Sequence, residues 1–235
     1  MSIMKTINMH GIASCAIAAI LLAGLAQNAP AAPITVTDSF DSGAGLNSLG
    51  PNWTILTDWF YKENGSAYNG LYGGESLAKY ASTSVDTNPF SVQAEVSLPA
   101  ADNQYAGLAF NIQDSTHYYL ARWATNGGGY YQIMGGTGGL WVVGTATYTA
   151  GSLMKVTGDG AGNFQLTLGG AGPISFSDTT LSGGGLGLYV SASPRGGAAF
   201  DNFSATYTPV PEPSVMALIG LGGLWFLRRR ANAPK

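Results

Sequence analysis

Between Ile34 and Tyr207 the chain runs in a period of two. In Phe90–Leu98 (FSVQAEVSL) apolar and polar residues alternate without a fault, and Tyr105–Ile112 and Tyr118–Ala124 are read the same way. Successive side chains of a strand point to opposite faces, so alternation predicts strands lying half-buried on a core. Further strands are predicted over Leu140–Val143, Leu153–Thr157, Asn163–Leu168, Leu186–Ser191 and Ala199–Tyr207. Gly clusters separate them, among them Gly127-Gly128-Gly129 and Gly183-Gly184-Gly185, and supply the positive φ that tight turns need. Turn signals recur at roughly 8–12-residue spacing, and no stretch carries a helical amphipathic stripe. The pattern predicts an all-β sandwich or barrel.

Both ends break this period. Residues 1–31 read as a secretory signal: Lys5 and His10 precede an apolar run from Ile12 to Ala26, and Ala29-Pro30-Ala31 offers a small-residue cleavage site. Cleavage is expected after Ala31. The single cysteine, Cys15, lies inside that run with the apolar stretch following it, the wrong side for lipidation. The mature chain is therefore expected to hold together without a disulfide, as ~175 residues can. At the other end Pro209, Pro211 and Pro213 stop any sheet. Ser214–Leu227 is an apolar run of 14 residues, followed by Arg228, Arg229 and Arg230. As a helix it would span ~21 Å, short of a ~30 Å hydrocarbon core, although thinning and snorkelling could close the gap. The arginines would stay on the cytoplasmic side.

Composition narrows the partners. Charged residues make up 10% of the chain, well below the ~25% of a typical domain, and glycine is abundant at 34 of 235 residues. The 12 tyrosines, 9 phenylalanines and 5 tryptophans argue against disorder, because they can bury enough apolar surface to fold. The net charge of −3 hides an uneven spread. Between Ala32 and Pro209 only Lys62, Lys79, Arg122, Lys155 and Arg195 stand against 12 acids, a balance of about −7. Nucleic acid is disfavoured. Neutral polysaccharide, a cation, or simple solubility remain open.

Three segments carry a family resemblance: FSVQAEVSLPAADNQYAGLAFNIQDSTHYYLARW (90–123), SLMKVTGDGAGNFQLTLGG (152–170) and GGLGLYVSASPRGGAAFDNFSATY (184–207). Together they resemble concanavalin A-like, laminin-G-like jelly rolls, with Phe40-Asp41 in the place of the first strand. The resemblance implies a jelly-roll β-sandwich over about 170 residues, and says little of function, since this fold hosts lectins, carbohydrate-binding modules, glycosidases and adhesive domains. It also implies a structural calcium joining the first strand to the last through Asp38, Asp41, Asp201 and Asn202. The alternative at Asp201-Asn202 is a turn in the last strand.

Catalysis finds little support. Glycosidases need two carboxylates across a sugar cleft. The Glu-x-Asp-x-x-Glu and Glu-x-Asp-x-Glu strand motifs of catalytic jelly rolls are both absent, and Glu95 has Gln93 and Ser97 as its same-face neighbours. His117, the one histidine after the signal segment, sits in a turn-like QDSTH. One histidine and no cysteine in the mature chain argue against a zinc or other transition-metal site. The glycines match neither a P-loop nor a dinucleotide fingerprint. Aromatics remain: most are expected in the core, while Trp59, Tyr61, Tyr130 and Trp141 are candidate stacking platforms for sugar rings.

The C-terminal segment VPEPSVMALIGLGGLWFLRRR resembles the PEP-CTERM sorting signal of Gram-negative bacteria, with Pro211, Glu212 and Pro213 as the motif and Arg228, Arg229 and Arg230 as the basic end. The resemblance implies recognition by an exosortase, a transient tether in the inner membrane, and release to the cell surface or beyond, in bacteria that make exopolysaccharide. The chain is thus expected to divide into a signal peptide (1–31), a jelly-roll domain (32–208) and a sorting segment (209–235: motif 211–213, apolar helix 214–227, basic tail 228–235). A non-catalytic glycan-binding or matrix-associated domain is the expected function. A carbohydrate-active hydrolase and a purely structural or adhesive matrix protein are the alternatives.

Overall fold

The alternation along Phe90–Ser97 becomes a strand in which every second side chain is buried: Phe90, Val92, Ala94 and Val96 face the core, and Ser91, Gln93, Glu95 and Ser97 are half-exposed. The computed structural model describes residues 31–41, 45–46, 48–58, 60–69, 74–98, 104–124, 130–134, 140–145, 149–169, 171–191 and 198–209. From Ala32 on they fall in one unit, Ala32–Val210. Every element among them is a strand: β1 (Ile34–Asp38), β2 (Gly45–Leu46), β3 (Trp53–Thr57), β4 (Phe60–Glu63), β5 (Ser66–Asn69), β6 (Glu75–Tyr80), β7 (Phe90–Ser97), β8 (Tyr105–Ile112), β9 (Tyr119–Ala124), β10 (Tyr130–Met134), β11 (Leu140–Thr145), β12 (Ser152–Gly158), β13 (Asn163–Leu168), β14 (Ile174–Ser177), β15 (Gly185–Ser191) and β16 (Ala199–Tyr207). The signal segment before Ala31, Trp59 and the sorting residues Pro211, Glu212, Pro213, Arg228, Arg229 and Arg230 lie outside the described residues.

The strands form two antiparallel sheets, the jelly-roll sandwich that the sequence pattern implies. The larger has nine strands in the order β14-β13-β12-β7-β16-β5-β4-β2, with β1 also paired to β16. The smaller has seven, β11-β10-β9-β8-β15-β6-β3. Between them lies a core that includes Phe60, Phe90, Leu108, Phe110, Tyr119, Trp123, Val156, Phe164, Leu188, Phe200 and Phe203. Phe110 is the hub of one aromatic group, with ring centroids 5.1 Å from Phe164 and 5.5 Å from Tyr119. Each such fully buried ring stabilises the fold by about 1.5–3 kcal/mol relative to exposure. Tyr119 also links the sheets: its hydroxyl donates to Asp178 Oδ1, just beyond β14, and accepts the Leu181 N–H at 2.7 Å. Burial and the Asp178 hydrogen bond push its phenol up to about 12.

Two expectations need correcting. Alternation describes β7 and β13, but not the smaller sheet, where β8 is buried at every position after Tyr105 and β9 at every position except Arg122. The outward residues Leu77, Ala109, Ile112, Leu120 and Tyr189 form a second apolar cluster of their own. An apolar–polar alternation drawn through YAGLAFNI counts small residues as if they faced water. The first strand is β1, not Phe40-Asp41. Phe40 sits past the end of β1 in a left-handed turn (φ 54°), held by its N–H donating to Asp38 Oδ1 at 2.8 Å.

Two local features place the site described below. Asn64 (φ 50°) and Gly65 (φ 75°) close the β4–β5 hairpin, a two-residue turn that needs positive φ at both positions. At β16 the sheet divides. Ala199 and Phe200 pair with β5, whereas Phe203–Tyr207 pair with β1. Between these partners Asn202 and Phe203 stand against the single residue Ala94 as a bulge on β7, with Asn202 at φ 48°. The extra residue lets Phe200 and Phe203 both face the core. Asparagine suits the bulge because it tolerates the left-handed conformation better than most side chains.

Candidate functional site

Where β16 changes partner, the larger sheet opens into a cleft of about 620 Å³. That is within the ~300–1,000 Å³ range of small-ligand pockets. One wall is the end of β1, with Thr37, Asp38 and Ser39, and a second is Asn202–Ser204 of β16. The turn Leu49–Asn52 closes the third side, and Lys62 of β4 completes the lining. Pro51 fixes the turn, and the Trp53 N–H donates to the Gly50 carbonyl at 3.2 Å.

An aromatic group underlies the cleft. Trp53 lies 4.8 Å from Phe203 and 5.2 Å from Tyr80, both edge-on, and 5.9 Å from Phe40. Its indole N–H donates to Asp38 Oδ2 at 2.8 Å. With Phe40 on the other oxygen, Asp38 is anchored at both. Burial, and then the Asp38 charge, raise the Tyr80 phenol, while a hydrogen bond from Asn52 offsets part of that shift. Of this aromatic group Phe203 reaches the lining, beside Leu49 and Pro51, and the rest of the wall carries hydroxyls, amides and one carboxylate. Lys62 is its unusual member. β4 turns Phe60 and Lys62 to the same face, and Lys62 is 7% exposed. Lysine is almost never that buried unless it is paired.

The four residues expected to share a calcium fall into two pairs, Asp38 with Asn202 and Asp201 with Asp41. Asp38 and Asn202 line the cleft. Asp201 instead stands opposite Glu95 in register, and its carboxyl is pushed up, first by burial and then by the charges of Glu95 and Asp41. Asp41 is exposed, with its carboxylate against Gly65. Among the described residues no three His, Cys, Asp or Glu side chains are grouped to hold a metal ion.

The candidate stacking aromatics are also dispersed. Tyr61 is half-buried and stacks on its cross-strand partner Tyr68, centroids 5.2 Å apart and planes at 18°. It lies on the outer face of the larger sheet, since the alternation of β4 sends Phe60 and Lys62 the other way. Tyr130 opens β10 opposite Ala124, in the row that runs on through Tyr105 and Ser191 to Glu75. Trp141 falls at the irregularity between β10 and β11.

Sequence reasoning passed over Asn52 and Lys62. The available signals were the Gly50-Pro51-Asn52 turn and the Phe-Tyr-Lys-Glu alternation, which sets a lysine beside an inward phenylalanine. It also passed over a network on the outer face of the smaller sheet. There the Arg122 guanidinium lies 4.2 Å from the Tyr105 ring centroid and donates to the Tyr189 hydroxyl at 3.4 Å. Burial, and then a hydrogen bond to Glu75, push the Tyr189 phenol far up.

Comparison with known proteins adds two findings. The PEP-CTERM protein-sorting motif model matches residues 209–231. No curated protein matches the chain in sequence. Solved structures share its fold. The carbohydrate-binding module CBM66 from Bacillus subtilis has a TM-score of 0.52 at 15% identity, over 67% of this chain and 96% of its own. The CBM2 module of the evolved Dit of Lactobacillus casei BL23 phage J-1 scores 0.54 at 12% identity, over 77% and 98%. The endo-beta-1,3-glucanase from Pyrococcus furiosus scores 0.52 at 10% identity, over 74% and 93%. At such identities the likeness is one of fold.

Proposed function

We propose that this chain is an exported protein that an exosortase-type membrane enzyme sorts through its C-terminal motif, and whose jelly roll binds glycan without cleaving it. In this reading residues 1–31 are removed on export and 209–235 hold the precursor in the inner membrane of a Gram-negative bacterium. The domain 32–208 then reaches the cell surface or the surrounding matrix. The observation that carries the binding reading is the cleft at the β1–β16 junction. Its hydroxyls and amides can meet the OH groups of a sugar, and Leu49, Pro51 and Phe203 supply its apolar lining. Carbohydrate-binding modules of the same fold support the reading. Retention on a panel of insoluble polysaccharides tests it: binding to at least one is expected, and retention on none would sink it. Mass spectrometry of secreted material tests the sorting step, which predicts a C-terminus lacking Lys235.

A specific observation favours one second reading, a hydrolase. Glu95 and Asp201 are paired across β7 and β16, and Asp201 is the carboxyl pushed up, as a general acid beside a carboxylate would be. Release of reducing ends from the retained polysaccharide, lost in Glu95→Gln, would establish it. The binding reading predicts no release.

A further inference from the structure

We infer that the cleft selects an acidic sugar, a uronate whose carboxylate is received by the Lys62 ammonium. The inference rests on the glycan-binding reading and names the class of glycan. Lys62 is the cation of the cleft and is 7% exposed, so a charge has been drawn from water into a ligand-sized space. Its Nζ reaches the turn side of the cleft, 3.8 Å from where a Cβ on Gly50 would stand. An ammonium carries three donors, so contacts within the fold and a contact to a ligand can coexist on it. Hydrogen bonds between charged partners are about twice as strong as neutral ones, and more so where water is excluded. The Asp38 carboxylate on the same cleft keeps its charge, so a uronate carboxylate would sit on the Lys62 side, away from it. The Asp38 oxygens face the Trp53 indole and the Phe40 N–H, which fix the side chain to the wall. Asn52, Asn202 and Ser204 remain for the ring hydroxyls. A neutral sugar would use these groups and leave the Lys62 charge without a ligand counter-charge.

The test compares each acid with its own methyl ester, which keeps the sugar and removes the charge. The purified protein is titrated calorimetrically with short oligomers of galacturonate, glucuronate and mannuronate and with their esters. At least one free acid should bind about tenfold or more tighter than its ester, and the difference should shrink with added salt. Lys62→Met should abolish the preference for acid over ester, while Lys62→Arg should keep it. Melting curves of both variants establish that they fold, and Lys62→Arg still reads the charge if Lys62→Met does not. Equal binding of acid and ester overturns the inference and leaves the glycan reading standing. So does a preference that survives in Lys62→Met. Binding of neither form in any pair overturns the inference, and retention on the polysaccharide panel decides the glycan reading separately.

Discussion

The two sheets of this sandwich solve opposite problems. The larger sheet has one wet face. Along β7 and β13 the outward positions are Ser91, Gln93, Glu95 and Ser97, and Asn163, Gln165 and Thr167. In the smaller sheet the strands β8, β9 and β15 are buried on both faces, and Leu77, Leu120 and Tyr189 point outward yet are at most 2% exposed. A wet face keeps strict alternation, so its strands are easy to read and its substitutions are cheap. A doubly buried sheet loses the alternation and treats its outward side chains as core. The cleft belongs to the wet sheet, at the point where that sheet divides between two partner strands. Ligand groups are gathered there by a bulge, a turn and a hairpin, rather than by a regular surface.

The largest effect should come from the outward face of the smaller sheet. Leu120→Ala is expected to cost about 2–5 kcal/mol, the range for emptying a packed site. Urea unfolding that finds under about 0.5 kcal/mol would mean the face behaves as surface. Next comes the link between the sheets. Tyr119→Phe removes the hydroxyl that holds Asp178 and accepts the Leu181 N–H, and leaves that buried donor without it. A loss of about 1–3 kcal/mol is expected.

Smaller and opposite in sign is Asp201→Asn on the wet face. The Asp201 carboxyl is pushed above its ordinary value of 3.8 by burial and by neighbouring Glu95 and Asp41. The neutral form therefore fits the fold better, and stability present below that ordinary value is lost as pH rises through the raised one. The substitution should stabilise by roughly 0.2–1 kcal/mol at neutral pH, as relief of a like-charge pair, and the gain should fade in acid. A melting temperature that falls at neutral pH would contradict this. Smallest is Thr157→Ala, an outward, half-buried position of β12, expected to stay within about 0.5 kcal/mol. Melting with chelator and with added calcium should coincide, because among the described residues no three acids are grouped to hold an ion.

What could be read from the sequence follows the same division. β7, β12, β13 and β16 announce themselves by alternation, and β16 even shows its bulge as Phe-Asp-Asn-Phe. β6 (ESLAKY) does not, because burial on both faces erases the period. The β4–β5 hairpin carried a strong local signal in Asn64-Gly65, but its strands are too short to show a period around it. The site was half-legible. Asp38 and Asn202 were chosen for their oxygens, and they do line one cleft. Their partners there, Asn52 and Lys62, come from a loop and a hairpin whose meeting is set by the split of β16, a long-range event that no local spacing records.

Amide chemical-shift mapping during titration with the tightest-binding oligosaccharide tests the central claim most directly. The account predicts saturable shifts concentrated at Thr37–Ser39, Asn52, Lys62 and Asn202–Ser204, with the Tyr105, Arg122 and Tyr189 region unmoved. Shifts concentrated on that outer face of the smaller sheet, with the cleft silent, would contradict it.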